Sequence, residues 1–292
     1  MKKAVIFGHT GQDGHYLTEL LKKENIDVYG ISRSFMDYKC DITNFNSVQS
    51  MLEDINPDYI FNFAAISTTS HNVLFENNTI IGTGTCNLLE AVRLVCPKAR
   101  VFLSGSGLQF VNNGEPINEN SAFTAESPYA AVRNYTYYLA QYYRNTYDLK
   151  VYFGFFFTHD SPLRTSSHMS QKIAIAARKA AKNEKVILEI GDMDVEKEYM
   201  FAGDAVNAVW ILVNQDSVYE VVIGSGEVFS IKDWVKTCFD IAGLDWTKYI
   251  RTKDGFKSEY RRLISNPERI RRLGWQPKVS FHALAKMMME DL

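Results

Sequence analysis

Gly8-His9-Thr10-Gly11-Gln12-Asp13-Gly14, directly after the apolar run Ala4–Phe7, is the stretch that decides the fold of this chain. A short apolar run followed by glycines three apart predicts a strand, a tight turn and the start of a helix. Without Cβ atoms, Gly8 and Gly11 let the backbone approach a pyrophosphate, and Gly14 lets the helix pack against the strand. The N–H groups at the start of that helix attract the phosphate charge. The alternative is a strand-to-helix turn without a ligand. The predicted cofactor-binding residues of the loop are Gly8, Thr10, Gly11, Gln12, Asp13 and Gly14.

The choice of dinucleotide depends on the end of the second apolar run, Val28–Ile31. Ser32, Arg33 and Ser34 stand where an acidic residue would bind the ribose of NAD. A guanidinium at Arg33 suits the extra phosphate of NADP, so NADP is favoured while NAD stays open. The alternative is an ordinary solvated arginine.

Composition excludes several classes of function. The 292 residues carry a net charge of −2, so the chain has no basic footprint for nucleic acid. No apolar stretch is long enough to cross a bilayer, and Met1-Lys2-Lys3 leads into a strand without a signal-peptide layout. We therefore expect a cytoplasmic protein with reduced thiols and no membrane partner. Neither CxxC pairs nor metal-ligand spacings occur among the six histidines and four cysteines, so we expect no metal.

Strand and helix patterns alternate through residue 157, which predicts a doubly wound parallel sheet of the Rossmann type. After residue 157 the rhythm changes, and a smaller C-terminal lobe is expected to bind substrate in the cleft. We assign residues 1–157, with about 203–226 returning, to the dinucleotide-binding domain. Residues 158–202 and 227–292 are assigned to the substrate lobe. The main predicted elements are strands over 57–65, 99–103, 150–157 and 185–190, and helices over 82–93, 129–147, 170–182, 205–213, 231–242 and 282–291.

Tyr129 and Arg133 are the candidate catalytic pair, because residues four apart share one face at the start of a predicted helix. A tyrosine acts as a general acid/base when a nearby cation stabilises its phenolate, and both residues are also expected to contact the cofactor. Ser104 and Ser106, after the predicted strand 99–103, are candidates to donate a hydrogen bond to a substrate oxygen. A surface tyrosine and arginine without this role are the alternative. Phe63, Ala64 and Ala65 end another strand and are expected to lie against the nicotinamide cofactor.

Several motifs together resemble an extended short-chain dehydrogenase/reductase, and within it most of all the GDP-mannose 4,6-dehydratase family. The resemblance covers nearly the whole chain and implies a nucleotide-sugar substrate, with GDP as the expected nucleotide. The motifs that carry it are the loop 8–17, Cys40-Asp41-Ile42-Thr43, Asn62-Phe63-Ala64-Ala65, Ser127-Pro128-Tyr129-Ala130, residues 157–164 and Leu273-Gly274-Trp275-Gln276-Pro277-Lys278-Val279.

The resemblance also implies binding roles. Asp41, with Ile42 beside it, corresponds to the segment that reaches the adenine, and His159 and Arg164 correspond to residues near the cofactor. Where the family holds the diphosphate and sugar with Asn, Lys, Arg and Arg, this chain has Thr158, Lys172, Lys197 and Lys257. A solvated basic surface is the alternative for each lysine.

Two departures from the family bear on the chemistry. The family has lysine where this chain has Arg133, which keeps the charge but presents a planar fork. Where the family has a sugar-binding threonine and a proton-abstracting glutamate, this chain has Gly105 and Gly107, or, shifted by one, Ser106 and Leu108. Neither alignment supplies a carboxylate, and loss of such a group costs a factor of about 10² to 10⁴ in rate.

These features lead to three functional hypotheses. The first is an NAD(P)-dependent oxidoreductase that transfers hydride at C4 of a GDP-hexose or GDP-heptose in surface-glycan sugar biosynthesis, as a dehydrogenase, reductase or epimerase. The second is a 4,6-dehydratase with a relocated acid/base, and the third is an inactive nucleotide-binding regulatory subunit. We also expect a homodimer or homotetramer, since family members dimerise through helices corresponding to about 84–93 and 129–147. The predicted helix over 129–147 carries tyrosines at helical spacing, namely Tyr135, Tyr138 and Tyr142. These tyrosines either face a partner or pack in the core.

Overall fold

A seven-stranded, all-parallel sheet lies at the centre of the computed structural model, which describes residues 1–32, 38–253, 255–256 and 258–290. Its strand order is β11-β6-β5-β4-β1-β2-β3. The strands are β1 (Lys3–Phe7), β2 (Asp27–Ser32), β3 (Tyr38–Lys39), β4 (Tyr59–Asn62), β5 (Arg100–Ser106), β6 (Lys150–Phe156), β7 (His159–Asp160), β8 (Leu188–Ile190), β9 (Glu196–Lys197), β10 (Met200–Phe201), β11 (Glu220–Ile223), β12 (Phe229–Ser230), β13 (Ile250–Thr252) and β14 (Arg262–Leu263). The prediction of a doubly wound, Rossmann-type parallel sheet is confirmed.

Helices cover both faces of the sheet because its strands are apolar on both sides. The helices are α1 (Gln12–Lys23), α2 (Phe45–Ile55), α3 (Leu74–Asn77), α4 (Gly84–Val95), α5 (Pro128–Tyr147), α6 (Met169–Ala181), α7 (Ala202–Val213), α8 (Ile231–Ile241), α9 (Glu268–Arg272) and α10 (Phe281–Met289). Within β1, Val5 and Phe7 pack towards α2, α4 and α5, while Ala4 and Ile6 pack towards α1 and α7.

A separate apolar core joins α6, α8 and α10 through Ile173, Trp234 and Leu284. Small sheets border this region: β9 pairs with β12 and β14, and β8 pairs with β13. The buried carboxylate of Glu198 accepts hydrogen bonds from the backbone N–H groups of Ser225 and Ser265, at 2.5 and 2.6 Å. Glu198 therefore ties the end of β11 to the segment after β14.

Several element boundaries differ from the predictions. The strand expected over 185–190 is limited to Leu188–Ile190, and the strand expected over 99–103 continues through Ser106, so both candidate serines lie within β5. Helix α2 was not predicted, although Asn44 caps it and Val48, Met51, Leu52 and Ile55 form its buried face. Among the described residues, no helix has the length and apolar character needed to cross a membrane. All four cysteines are unpaired.

Candidate active site

The candidate site lies at the carboxyl ends of the parallel strands, on either side of β1. From β1 the chain adds β2 and β3 on one side, and β4, β5, β6 and β11 on the other. Ligands of open parallel sheets bind in the crevice where the strand order reverses in this way. The predicted cofactor loop follows β1 and therefore lies at this crevice.

The glycine loop has the close backbone packing that a dinucleotide site requires. Gly8 has φ +79°, and a Cβ there would lie 2.9 Å from the carbonyl carbon of Phe63. A Cβ on Gly14 would lie 2.6 Å from the Gly8 carbonyl oxygen, so glycine is needed for α1 to pack on the loop. Gly11 caps α1 without a side-chain hydrogen bond, which leaves the first helical N–H groups to a ligand. These residues fit a bound pyrophosphate.

The other predicted cofactor contacts surround this loop. Asn62 at the end of β4 accepts a hydrogen bond from Ala64 N at 3.1 Å, which shapes the turn that continues into half-buried Ala65. Asp41 accepts from the backbone and hydroxyl of Thr43, at 3.0 and 2.8 Å. Ile42 is buried against Gly84, at the start of α4. Arg33, the residue predicted to select NADP, lies outside the described residues.

Tyr129 and Arg133 share the buried face of the first turns of α5, as predicted. The Arg133 guanidinium carbon lies 5.2 Å from the centroid of the Tyr129 ring. Arg133 is only 6% exposed and forms no ion pair with another described residue. The Tyr129 hydroxyl makes no hydrogen bond within the described part of the chain. A buried positive charge without a carboxylate partner among the described residues therefore lies beside the ring of a tyrosine whose hydroxyl is not committed elsewhere.

Ser104 is bound by hydrogen bonds inside the protein, which argues against the prediction that its hydroxyl donates to substrate. Its Oγ donates to the carbonyl oxygen of Asn62 at 3.0 Å. The same Oγ accepts a hydrogen bond from Arg133 Nη1 at 3.1 Å, and Nη1 also donates to the Ser104 carbonyl oxygen. Because a serine hydroxyl has one proton, Ser104 positions Arg133 and has no proton left for a substrate oxygen.

Unlike Ser104, Ser106 has a hydroxyl proton that no described residue accepts. Its Oγ accepts from Leu108 N at 3.2 Å, and no other described residue receives its proton. The backbone N–H of Ser106 donates to Gln109 Oε1 at 2.8 Å, and Gln109 Nε2 donates to Asn134 on α5 at 3.1 Å. Gln109 and Asn134 thus fix the end of β5 relative to α5. Sequence reasoning missed both residues, because an amide within a short turn leaves no periodic signal.

Gly105 and Gly107 are glycines for steric reasons. A Cβ on Gly105 would collide with the ring of Phe153 on β6 and lie 2.7 Å from Gln109 Oε1. A Cβ on Gly107 would lie 2.8 Å from the ring of Phe157. Aromatic rings therefore occupy the space into which side chains at these two positions would extend.

A buried ion pair joins the cofactor loop to the segment after β6. His159 Nε2 lies 2.9 Å from Asp13 Oδ1, and His159 Nδ1 lies 2.8 Å from the Phe157 carbonyl oxygen. Burial alone would lower the pKa of His159, but the charge and hydrogen bond of Asp13 outweigh it, so the pKa is raised. Burial alone would raise the pKa of Asp13, but the charge and hydrogen bond of His159 lower this pKa below its ordinary value. Gln12 donates to the His159 carbonyl oxygen at 3.2 Å and reinforces the link.

One predicted substrate contact, Lys197 on β9, lies beside a cluster of charged and titratable groups before α6. Arg164 Nε lies 3.2 Å from Asp160 Oδ1, and its Nη2 lies 3.1 Å from His168 Nδ1. Burial, with the Arg164 charge next, lowers the pKa of His168 to about 4, so this ring is neutral at pH 7. Burial also lowers the pKa of Lys197, whose Nζ lies 5.0 Å from the Tyr199 ring centroid.

The other predicted contacts are distributed differently. Thr158 is half-buried directly before β7, and Lys172 is exposed on the first turns of α6. Lys257 lies outside the described residues. Sequence reasoning missed Asp160 and His168, which became visible as partners of Arg164 only in the tertiary structure. The described residues contain no cluster of three or more metal-ligating side chains.

A cavity of about 790 Å³ opens beside the candidate catalytic pair. It begins at Gly107 and Leu108, which follow Ser106, and at Ser127 and Pro128, which precede Tyr129. The opposite wall comes from Thr69, after β4, and from residues 259–263.

This parallel sheet, with a second helical lobe and a tyrosine–cation pair at the start of α5, is the architecture of the extended short-chain dehydrogenases/reductases. The chain belongs to the GDP-mannose 4,6-dehydratase family, whose model matches residues 5–288. GDP-mannose 4,6 dehydratase 1 of Arabidopsis thaliana is 28% identical over 322 residues, which cover 99% of this chain and 89% of that protein. The GDP-mannose 4,6-dehydratase of Vibrio cholerae is 28% identical over 351 residues, which cover 100% and 94%.

Solved structures share the fold at lower sequence identity. RMD from Pseudomonas aeruginosa, complexed with NADPH, has a TM-score of 0.89 at 19% identity, with 99% of this chain and 98% of that chain covered. UDP-glucose 4-epimerase of Thermus thermophilus, complexed with NAD, has a TM-score of 0.84 at 19% identity, with 98% and 97% covered. The resemblance to this superfamily and family is confirmed.

Proposed function

We propose that this protein is an NAD(P)-dependent oxidoreductase that acts at C4 of a nucleotide-linked sugar, with GDP as the nucleotide. The observation that carries the proposal is the buried charge of Arg133, without a carboxylate partner among the described residues, beside the ring of Tyr129. The glycine loop, with its uncapped helix start, supports binding of NADP or NAD. The chain belongs to the GDP-mannose 4,6-dehydratase family, and this membership supports a GDP-linked sugar as the substrate class.

The proposed chemistry converts a C4 alcohol into a ketone, or the reverse. In oxidation, the Tyr129 phenolate takes the proton of the C4 hydroxyl, and the bound nicotinamide supplies the acceptor for the hydride from C4. Ser106 donates its hydroxyl proton to the C4 oxygen in a hydrogen bond and fixes its direction. Reduction runs through the same positions, with the Tyr129 hydroxyl returning the proton.

Arg133 favours the phenolate form of Tyr129 in this scheme. An opposite charge close to an ionisable group stabilises its charged form, and the effect is larger in a buried site. The hydrogen bonds from Nη1 to Ser104 hold the guanidinium against β5, so its charge stays beside Tyr129. Arg133 thereby takes the electrostatic part of the role that lysine has in the family, with a different geometry towards the cofactor ribose.

We assign the diphosphate of the substrate to the cluster around Thr158, Lys172 and Lys197. Lysine ammonium groups act as point charges towards phosphate, and Arg164 adds a further cation beside Lys197. Asp160 is the acid that the structure places against Arg164, and His168 is neutral there. The cluster therefore carries more positive than negative charge, which suits a diphosphate.

The missing carboxylate favours hydride transfer over elimination of water. Elimination needs a base for the C5 proton and an acid for the leaving hydroxyl. In either alignment with the family, the residue at the position of its glutamate is Gly107 or Leu108, and neither has a carboxylate. Glu126 does line the cavity, so a dehydratase that uses this residue is the second candidate.

Mass spectrometry of GDP-mannose and GDP-heptose, each incubated with the protein and NAD⁺ or NADP⁺, tests the proposal. Loss of two hydrogens from the sugar is the expected result. Loss of water would establish the dehydratase instead, and a Glu126→Gln variant would then show whether that carboxylate is responsible. No change with these substrates or with their 4-keto forms plus reduced cofactor, while cofactor still binds, would favour a regulatory subunit.

We also propose that the protein assembles through α4 and α5. Tyr135, Tyr138 and Tyr142 lie on one face of α5 and are exposed rather than packed in the core. Leu94, on the neighbouring helix α4, is exposed as well. Exposed tyrosines grouped on adjacent helices are typical of protein interfaces.

A further inference from the structure

The polar chamber, as we call the cavity of about 790 Å³, has no role in the proposed hydride transfer. That reaction uses Tyr129, Ser106 and Arg133 at the end of β5, whereas the chamber extends away from Gly107 towards residues 259–263. Complete pockets for small molecules measure about 300–1,000 Å³, so the chamber can hold a substantial part of a ligand.

The lining of the chamber suits uncharged hydroxyl groups. Asn113 Nδ2 and the Thr124 hydroxyl make no hydrogen bond to another described residue and can pair with hydroxyl groups of a ligand, whereas the Asn112 amide is bound to the Arg262 carbonyl and to Gly114 N. Glu126 and Glu259 are exposed carboxylates on the wall, which would repel a phosphate or a carboxylate. The chemistry of these walls therefore matches a polyol.

The two arginines of the chamber do not change this conclusion, because each lies close to acidic side chains. Arg262 Nε lies 3.3 Å from Glu196 Oε2. Arg261 lies 3.5 Å from Asp192 and 3.7 Å from Asp194, measured between its Nη atoms and the carboxylate oxygens. The chamber therefore has no excess of positive over negative charge, unlike the cluster around Lys197.

Gly107 joins the chamber to the reaction centre. It follows Ser106 directly and lines the chamber. The carboxyl end of β5 is where the sugar ring must lie for Ser106 and Tyr129 to reach its C4 oxygen. In a pyranose ring C5 is bonded to C4 and carries the exocyclic carbon chain, so this chain begins close to Ser106 and Gly107.

We propose that the polar chamber binds a polyhydroxylated chain attached to C5 of the sugar, so that the substrate is a nucleotide-linked heptose or longer sugar rather than a hexose. This inference rests on the proposed function, because it assumes a nucleotide sugar at Tyr129. It assigns to the chamber residues Asn113 and Thr124 the recognition of hydroxyl groups beyond C6.

Isothermal titration calorimetry with GDP, GDP-mannose and GDP-heptose tests this assignment without requiring turnover. We expect GDP-heptose to bind at least about tenfold more tightly than GDP-mannose, since a site built for hydroxyl groups discriminates against a ligand that lacks one. Asn113→Trp, which adds bulk at an exposed position of the chamber, should bring the ratio of the two dissociation constants close to one. Thr69→Phe, on the opposite wall, should do the same.

Asn120→Trp is the matched control, because it places the same side chain on the same connecting segment outside the chamber. Its ratio should equal that of the unmodified protein. Equal affinities for the two sugars, or a ratio that the chamber variants leave unchanged, would overturn the inference. If GDP binds but neither sugar adds affinity, the chamber assignment fails and the nucleotide site stands. If GDP does not bind, the proposed function fails with it.

Discussion

Arg133 lies with its guanidinium carbon 5.2 Å from the ring centroid of Tyr129, and Ser104 holds it there through two hydrogen bonds from Nη1. One turn of helix thus places a buried cation next to the ring of a tyrosine whose hydroxyl makes no hydrogen bond to another described residue. The carbonyl of Asn62 fixes the Ser104 hydroxyl in turn, so β4, β5 and α5 position the same charge.

Replacing the Tyr129 hydroxyl tests its role as general acid/base. Tyr129→Phe removes the group that carries the proton but keeps the ring that packs beside Arg133. We expect the rate to fall by about 10² to 10⁴, which is the usual contribution of general acid–base catalysis. Steady-state kinetics and cofactor binding measured on the same sample check this. Loss of cofactor binding in parallel with the rate would argue for a structural role.

Two substitutions of Arg133 distinguish the effect of its positive charge from the effect of its planar guanidinium group. Arg133→Lys keeps the positive charge, and we expect activity within about tenfold of the unmodified protein. Arg133→Met keeps much of the apolar stem but removes the charge, and we expect a loss of about 10² or more. The pH dependence of kcat/KM for oxidation provides the second measurement, because loss of the charge should move its acidic limb, which the general base sets, to higher pH. Equal losses in the two variants would contradict an electrostatic role.

The Asp13–His159 pair should make stability depend on pH. The raised pKa of His159 contributes stability fully below its unfolded value of about 6.5, and this is lost as pH rises through the folded pKa. The lowered pKa of Asp13 contributes above about 3.8 and is lost as pH falls through its folded value. His159→Gln should therefore cost about 1.5–3 kcal/mol near pH 5, and less near pH 9.

Urea unfolding at both pH values measures this difference directly. Asp13→Asn combined with His159→Gln shows whether the two residues act as a pair, since their effects should then not add. A cost for His159→Gln that is the same at both pH values would show that the ring packs without carrying charge.

The exposed tyrosines of α5 should control assembly. Tyr138 is 57% exposed, and Tyr138→Glu would place a charge on the proposed interface. We expect light scattering after gel filtration to give a smaller mass for this variant than for the unmodified protein. Ile187→Glu is the control, because Ile187 is comparably exposed but lies outside α4 and α5. Identical masses for all three proteins would contradict this interface.

The sequence alone predicted the Rossmann-type sheet, because local patterns specify it. Apolar runs such as Ala4–Phe7 and the residues of β6 are typical of buried strands, and the glycines after β1 specify the turn. The pairing of Tyr129 with Arg133 was also predictable, since helical spacing places residues four apart on one face. Helix α2 was missed despite its regular apolar spacing, and short strands such as β9 and β14 carry too few residues to form a pattern.

The tertiary structure alone decided how the polar groups are used. From the sequence, Ser104 and Ser106 were equally good candidates to donate a hydrogen bond to substrate. In the structure the Ser104 hydroxyl is bound to Asn62 and Arg133, whereas no described residue accepts the proton of the Ser106 hydroxyl. The Asp13–His159 pair and the polar chamber join residues far apart in the chain. The sequence by itself determined the sheet, the glycine loop and the adjacency of Tyr129 and Arg133, because neighbouring residues specify them. Hydrogen-bond partners, burial and cavities were decided by the tertiary structure, because they depend on which distant segments the packed fold brings into contact.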